Sequence, residues 1–531
     1  MNPSFGPGRP AGFLPDADAY RKMSVGVRKL GAVTETLTPR GEIGRRPMAW
    51  VPVGLIAVAA TLLLLATAGR YGYHRDELYF RMLGDHPAWG YVDQPPFTPL
   101  LDRLAIELLG DSVWAIRVPG ALMIGLAAVL AAALAREVGG GAGAQSLAAS
   151  VVFGTFPLSA AHVGSTAAPD LLVWLGVLLF AVRALLHDRP RAWLGAGLVA
   201  GLGLYNKHLV VLLLLCLAGG LLLVGPRRVL RSPWLWAGVA VALLVGLPNL
   251  IYQVVNDFPQ AEMARALAED KGDESRVLLL PFQFALLSLP PVWIAGIVAL
   301  LRDPAWRPIR ALPVAYLLML VLLLLIAGQP YYPLGLLAAL YAIGAVPTVR
   351  WLAGRRARLG WLVAGVVIFS VVGIGMSLPV IPEDRLAGSI AAEANQTVSD
   401  QVGWPDYVAQ VAAVFRALPA GEQARAVLFT SNYGEAGALD RFGRPLGLPE
   451  VYSGHNELHH YGPPPDDKTV VLAVLQAGPA RVAEMFGTCT EHGALRNAAG
   501  VENEETEDAH IYVCHPTEPW HTLWPSLQHY S

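Results

Sequence analysis

The sequence predicts a polytopic α-helical membrane protein that carries a C-terminal α/β domain. Three observations lead there. Of its 531 residues, 54% are hydrophobic and only 15% are charged, against roughly 25% charged in an ordinary soluble domain. Apolar runs recur at or near the roughly 18–20 residues that a helix needs to cross a bilayer. Charge is also divided: residues 382–531 hold 20 acidic and 8 basic residues, whereas residues 1–381 hold 21 acidic and 31 basic. The two parts are therefore expected to face different surroundings.

Residues 1–46 are rich in Pro, Gly and charge and read as a disordered cytoplasmic tail. No apolar core follows a short basic start, so the first span, 48–68, reads as an uncleaved anchor and not as a secretory signal. Further spans are expected near 113–136, 144–162, 167–187, 192–206, 208–224, 233–251, 277–301, 309–327, 330–347 and 359–381. That makes about eleven transmembrane helices within 47–381, one long run being cut at Lys207. With the N-terminus in the cytoplasm, every inner loop carries arginine, from Arg45 and Arg46 through Arg136, Arg183, Arg227 and Arg302 to Arg350, as the positive-inside rule requires. An odd number of spans places residues 382–531 on the extracytoplasmic side of the cytoplasmic membrane. Two outer loops are long. The first, 70–112, contains the apolar-periodic piece Phe97 to Leu109, too short and too charged to span, which predicts an interfacial helix. The second, 252–276, ends in the charged stretch Glu269 to Glu274.

The outer part, 382–531, shows helical spacing over Tyr407 to Leu418 and Ala480 to Phe486. Ala426 to Thr430, Thr469 to Leu475 and Ile511 to Cys514 read as short buried strands. Strands alternating with helices predict an open sheet. Cys216 lies in an apolar run and reads as core. Cys489 and Cys514 are able to pair if this part lies outside the cytoplasm; free and paired states both fit the sequence. No P-loop, Gly-rich dinucleotide fingerprint or solenoid repeat is visible.

Candidate functional residues gather on the expected outer face. His74, Arg75, Asp76 and Glu77 follow the first span, and Asp93 and Gln94 come later in the same loop. Asp170 opens a span, Lys207 and His208 interrupt an apolar run, and Gln329, Tyr331 and Tyr332 form a later turn. Each group alone has a plainer reading: a solvated loop pair, a first-turn acid, a snorkelling lysine or interfacial tyrosines. Their convergence from four segments is the stronger signal. His455, His459 and His460 with Glu457 have spacing able to hold a divalent ion. In a loop rich in Gly, Asn and Pro they read more readily as a polar or acceptor-binding surface. No metal or cofactor is expected, although a divalent ion stays open.

Arg75-Asp76-Glu77-Leu78-Tyr79, followed by Gly90-Tyr91-Val92-Asp93-Gln94-Pro95-Pro96-Phe97, resembles the bacterial membrane glycosyltransferases related to protein O-mannosyltransferases and aminoarabinose transferases. The turn Gln329 to Pro333, the stretch Ser431 to Ala438 and Ser453-Gly454-His455-Asn456 share in the resemblance, which runs from about residue 48. It implies the GT-C fold, with the active site at the outer face, and a polyprenyl-phosphate-linked sugar as donor. The acceptor would be a protein, lipid or cell-envelope glycan, with membrane lipid as a further partner and no nucleic acid. The resemblance implies Asp76 as the catalytic base, with Glu77 beside it. Arg75, Arg117, Lys207, Gln329, Tyr331 and Tyr332 would face the donor phosphate. His74, Asp93, Gln94, Asp170, His208, Tyr433, Glu435, His455 and Asn456 would face substrate. Relatives often carry lysine where this chain has Gln94 and Gln329, which moves weight onto Lys207, Arg75 and Arg117.

The chemistry agrees, because sugar transfer from a lipid phosphate needs a base for the acceptor hydroxyl and donors for the leaving phosphate. A lipid or solute transporter or flippase is the alternative. The one-sided placement of the polar groups and the lack of an inverted repeat weigh against it. A sensor with the outer domain as its binding module is a third reading.

Overall fold

The computed structural model describes Met1 and residues 44–530, apart from 502, 504, 505 and 507. The tail expected over 1–46 lies almost wholly outside the described residues. Among the described residues, six helices are long and apolar enough to cross a membrane: Trp50–Thr67, Val113–Glu137, Ala167–Leu186, Pro233–Val255, Leu334–Leu352 and Arg356–Ser377. Two bent pairs raise the number to 8 if each is one span, and Ala192–Gly203, Leu209–Leu223 and Ala311–Ile326 are shorter apolar helices. The chain is thus a multi-pass helical membrane protein with fewer full-length spans than the eleven expected.

The differences have local causes. The span expected over 277–301 is two helices, Pro259–Leu286 and Pro290–Arg302, bent by 98°. Pro290 and Pro291 restrict the residue before them and supply no backbone N–H, so the first helix cannot continue. Leu289 takes up the corner with φ 54°. The span expected over 144–162 is similarly bent by 57° between Phe153 and Thr155. The long outer loop expected over 252–276 is mostly helix, because Pro259–Leu286 runs through the charged stretch. That segment is rich in Ala, Glu, Leu, Arg and Met, which favour helix, and Pro259 sits in its first turn, where a missing N–H costs nothing. Charge marked its solvation and not its backbone.

The bundle packs through small residues. A side chain at Gly344 would drive its Cβ into the Val292 carbonyl oxygen, so the helices Leu334–Leu352 and Pro290–Arg302 touch backbone to backbone. At the end of the bundle away from the first loop, the carboxylate of Glu137 is fully buried. It meets Arg45 at 2.6 Å, Arg183 at 2.8 Å and His187 at 3.1 Å. These contacts tie the segment before the first helix to two other helices.

The C-terminal part is a five-stranded mixed sheet. β1 (Ala426–Thr430), β2 (Val451–Ser453), β3 (Val470–Leu475), β4 (Thr488–Ala494) and β5 (His510–His515) lie in the order β2-β1-β3-β5-β4. β1 is parallel to β2 and to β3, with Leu428 opposite Leu472; β5 is antiparallel to β3 and to β4. β1 and β3 are buried along their whole length, which explains their continuous apolar sequence. β2 has only three residues and β4 is a largely exposed edge, so neither has the pattern that announces a strand. A disulfide joins Cys489 of β4 to Cys514 of β5.

The sheet region shares its core with the first loop. Tyr73, Leu78 and Ile116 pack in one apolar cluster with Val411, Leu428 and Leu472. Trp404 Nε1 donates to the Tyr73 carbonyl at 2.8 Å, and the Gly72 N–H donates to the Gln401 carbonyl at 2.8 Å. The helices Arg75–Asp85 and Tyr433–Gly443 meet where Gly437 abuts Leu78, a Cβ there falling 2.7 Å from the Leu78 Cβ and 2.8 Å from its carbonyl carbon. Gly437→Val should therefore overpack this contact and cost about 1–3 kcal/mol, read as a lower thermal midpoint in detergent. Gly447→Ala, which meets no neighbour within 4 Å but has positive φ, serves as a backbone-strain comparison without packing.

Candidate active site

The Asp76–Glu77 pair opens the helix Arg75–Asp85, where the sequence had suggested a loop. His74 is its N-cap: its Nδ1 accepts the Asp76 N–H at 3.2 Å, while Glu77 Oε2 accepts the His74 N–H at 2.7 Å. This reciprocal box satisfies amide groups that a helix start leaves open. Burial holds the His74 imidazole below its usual pKa, which suits an accepting nitrogen.

The two acids have opposite surroundings. Glu77 is fully buried and receives both arms of Arg117, at 2.8 Å from Nε and 2.8 Å from Nη2. Arg117, itself 1% exposed, also donates to the Ala68 carbonyl at 3.1 Å and the Gly72 carbonyl at 2.8 Å. Each charge is engaged by the other and by the backbone; the sequence had placed Glu77 beside the catalytic base and Arg117 at the donor phosphate. Asp76 keeps a third of its side chain exposed. Its Oδ1 accepts the Tyr433 hydroxyl at 2.9 Å, and Arg75 Nε lies 4.0 Å from the same oxygen.

A second wall comes from the bundle. Lys207, between the helices Ala192–Gly203 and Leu209–Leu223, donates from Nζ to the Tyr331 hydroxyl at 3.2 Å. Its ammonium also sits 5.1 Å and 5.2 Å from the centres of the Tyr331 and Tyr332 rings, a cation–π arrangement. Phe156 stacks on Tyr331 at 4.8 Å, and Gln283 Nε2 holds the Pro330 carbonyl at 2.8 Å, so the turn is braced from both sides. The charges of Asp76 and Asp170 both reach Tyr331, and Asp170 is within the field of Lys207. Gln329 is half-buried in the same turn. Gln94 is buried, and its Nε2 has no hydrogen-bond partner among the described residues. A buried donor of this kind calls for an acceptor.

The third wall belongs to the sheet region. Tyr433 stacks on Tyr79 at 4.5 Å and on His455 at 4.8 Å, and His455 stacks on His529 at 4.9 Å. Tyr79 donates to Asp93 Oδ1 at 3.1 Å and accepts the Glu457 N–H at 3.2 Å; Glu457 Oε2 accepts the Val92 N–H at 2.9 Å. Burial pushes Asp93 up to about 7, with Glu457 and Asp76 adding to the rise. Burial likewise raises Glu457 to about 7.

Hydrogen bonds join Asp76 to Tyr433, Asp93 to Tyr79 and Lys207 to Tyr331, and Tyr332 lies beside the same lysine. Glu435, expected on the substrate side, is fully buried and closes the capping box of the helix Tyr433–Gly443, accepting the Asn432 N–H at 3.1 Å. His208 is taken up by Asn249 Oδ1 at 2.8 Å, and Asn249 in turn donates to the Trp89 carbonyl at 2.8 Å. Asn456 is buried with φ 50° beside the ring stack. His459 stacks on Trp524 at 5.0 Å and meets its carbonyl at 3.0 Å, apart from the His455 stack. Among the described residues no three His, Cys, Asp or Glu side chains are placed to hold a metal ion. Sequence reasoning missed Tyr79 and His529 as members of the site, and placed Glu457 only in a polar or acceptor-binding loop. Tyr79 stood in the quoted motif, but His529 carries no sequence signal at all.

Residues 93–252 match the family model described as dolichyl-phosphate-mannose-protein mannosyltransferase. The chain is 29% identical over 166 residues to undecaprenyl phosphate-alpha-4-amino-4-deoxy-L-arabinose arabinosyl transferase 1 of Pseudomonas fluorescens, covering 30% of each chain. It is 27% identical over 248 residues to transferase 2 of the same organism, covering 44% of this chain and 42% of that one. The match thus spans less than half the length of these curated relatives. The structure of ArnT from Cupriavidus metallidurans bound to undecaprenyl phosphate aligns over 89% of this chain and 99% of that one, with a TM-score of 0.54 and 15% identity. The likeness at that identity is one of fold, and the fold is GT-C.

Two outcomes follow. Glu77→Gln or Arg117→Met leaves a buried charge alone and should cost roughly 3–5 kcal/mol, seen as a large fall in thermal midpoint. Asp93 and Glu457 have pKa values raised to about 7, from ordinary values near 4. Folding then favours their protonated forms, so their stabilising contribution is full below about pH 4 and is lost as pH rises through about 7. The double variant Asp93→Asn, Glu457→Gln should flatten the fall in thermal midpoint between pH 5 and 8, compared with the wild-type chain.

Proposed function

Taking as premise that the chain resembles the aminoarabinose and protein mannosyl transferases and has their GT-C fold, we propose that it is a glycosyltransferase using a polyprenyl-phosphate-linked sugar. The observation that carries this reading is the pairing of walls. A carboxylate with a third of its side chain exposed, Asp76, is held by the Tyr433 hydroxyl, and Lys207 with Tyr331 is taken to face the same space. Asp76 is the base. It takes the proton of an acceptor hydroxyl as that oxygen bonds to the anomeric carbon. The bond from that carbon to the phosphate oxygen breaks, and its electron pair leaves with the polyprenyl phosphate. This single displacement inverts the anomeric centre. Lys207, Arg75 and the Tyr331 and Tyr332 hydroxyls stabilise the leaving phosphate, and the buried Gln94 amide supplies a further donor. Gln329 lines the same turn. Asp93, Asp170, His455 and Asn456 shape the sugar and acceptor side. Tyr433 positions the base and does not itself exchange a proton.

Orientation follows from charge. The end of the bundle opposite Asp76 carries Arg45, Arg136, Arg183 and Arg355, which face the cytoplasm under the positive-inside rule. The site and the sheet region are then extracytoplasmic, where a lipid-linked donor enters from the membrane and an acceptor protein, lipid or envelope glycan from outside.

The test uses purified full-length protein in lipid, radiolabelled polyprenyl-phosphate sugars and a membrane extract as acceptor source. Asp76→Asn should lower transfer by about 100-fold to 10,000-fold, and Lys207→Met by about 100-fold to 1,000-fold. Tyr433→Phe should lower kcat about tenfold with little change in KM, since it loosens a charged hydrogen bond on the base. Transfer from none of the carriers, or undiminished transfer by Asp76→Asn, would sink the assignment.

A further inference from the structure

The last span, Arg356–Ser377, joins the bundle firmly at one half. There the Ser377 hydroxyl donates to the Thr155 carbonyl at 2.7 Å, and Asn395 Nδ2 donates to the Met376 carbonyl at 2.7 Å. A Cβ at Gly373 would stand 2.7 Å from the Phe153 carbonyl oxygen. Toward its other end the helix stands off from its neighbours and leaves a groove of about 840 Å³. Leu359, Val363, Val366 and Val367 form one side of it, and Leu147 and Leu352 face them. Arg355 and Arg356 line its mouth, are exposed, and have no ion pair among the described residues. The next arginine, Arg358, is instead engaged with Trp351, 4.2 Å from its ring centre and 3.0 Å from its carbonyl.

We propose that this groove is a binding site for an anionic diacyl glycerophospholipid, at the end of the bundle opposite the candidate active site. Two unpaired guanidiniums beside an apolar slot describe an amphiphile with one negative head. From Arg356 to Ile374 the slot follows the helix for about 27 Å at 1.5 Å per residue, within a hydrocarbon core of about 30 Å. Its far end is closed by the Gly373–Phe153 contact, so the tails it takes end inside the membrane. That shape fits acyl chains and disfavours a long polyprenyl tail. The lipid acts as mortar between the last span and the helices Ala142–Ala149 and Leu334–Leu352.

Native mass spectrometry of the full-length protein, with phosphatidylglycerol, phosphatidylcholine and undecaprenyl phosphate added in competition, tests the proposal. A basic side chain near an anionic lipid favours it by about fivefold, so two give a preference for phosphatidylglycerol over phosphatidylcholine of about thirtyfold. Arg355→Gln with Arg356→Gln should abolish the preference while lipid is still retained, and Val367→Trp should exclude both glycerophospholipids. Thermal midpoints of the wild-type protein give a readout that does not depend on variant folding: at equal concentration phosphatidylglycerol should raise the midpoint more than phosphatidylcholine does. Equal retention and equal stabilisation by the two lipids would overturn the site. So would a preference that survives in the double variant, which belongs to another basic surface, or displacement of phosphatidylglycerol by undecaprenyl phosphate.

Discussion

The ion pair between Glu77 and Arg117 is the contact on which the rest of the outer face depends. Moving two charges out of water is costly, and attraction offsets that cost only when the geometry is bidentate and the remaining donors and acceptors are filled. Both conditions hold. Arg117 binds both carboxylate oxygens and two carbonyls of the turn after the first helix, and Glu77 also accepts the His74 N–H. One pair therefore anchors the span Val113–Glu137 to the turn 68–72 and to the start of the helix Arg75–Asp85. It fixes where Asp76 stands without using Asp76. Two adjacent acids with the same chemistry are separated by burial into a structural ion and a carboxylate open to reaction.

The sheet region belongs to the same design. Its core continues into the first loop through Tyr73 and Leu78, and its Tyr433 hydroxyl reaches across to Asp76. The rings of Tyr79, Tyr433, His455 and His529 stack in sequence, so the far C-terminus contributes to the stiffness of the carboxylate's surroundings. A carboxylate held from two sides has little freedom left to lose, which is the physical value of placing it between a helix start and a second region. Lys207 is braced comparably by aromatic rings, and its charge is kept near the carboxylates by the Tyr331–Tyr332 turn.

Several features were legible in the residues because they depend on local pattern. Most of the apolar helices, the helix Phe97–Leu109, three of five strands and the stretches that carry Asp76, Asp170, Lys207 and the two tyrosines all show in periodicity, loop charge or motif. Other features were illegible for equally physical reasons. The charged helix Pro259–Leu286 hid because solvation and backbone conformation are separate properties. β4 hid because an exposed edge strand needs no apolar face. Glu435 looked like a substrate residue because a capping acid and a binding acid have the same side chain.

The sequence by itself determined that this chain crosses a membrane many times, that its last 150 residues or so form a strand-and-helix region, and which short stretches carry chemically capable groups. Composition and period set those outcomes, since they follow from how much apolar surface each segment must hide. Only the tertiary structure decided what each capable group does. It paired Glu77 with Arg117, gave Asp76 its tyrosine, spent Glu435 on a helix cap and brought His529 beside His455. The pairings of Glu77 and of Asp76 depend on partners 40 and 357 residues away, whereas the Glu435 cap is closed by Asn432 three residues before it; where the partner is distant, a charge or donor acquires its role from the group that desolvates it and not from its neighbours in the chain.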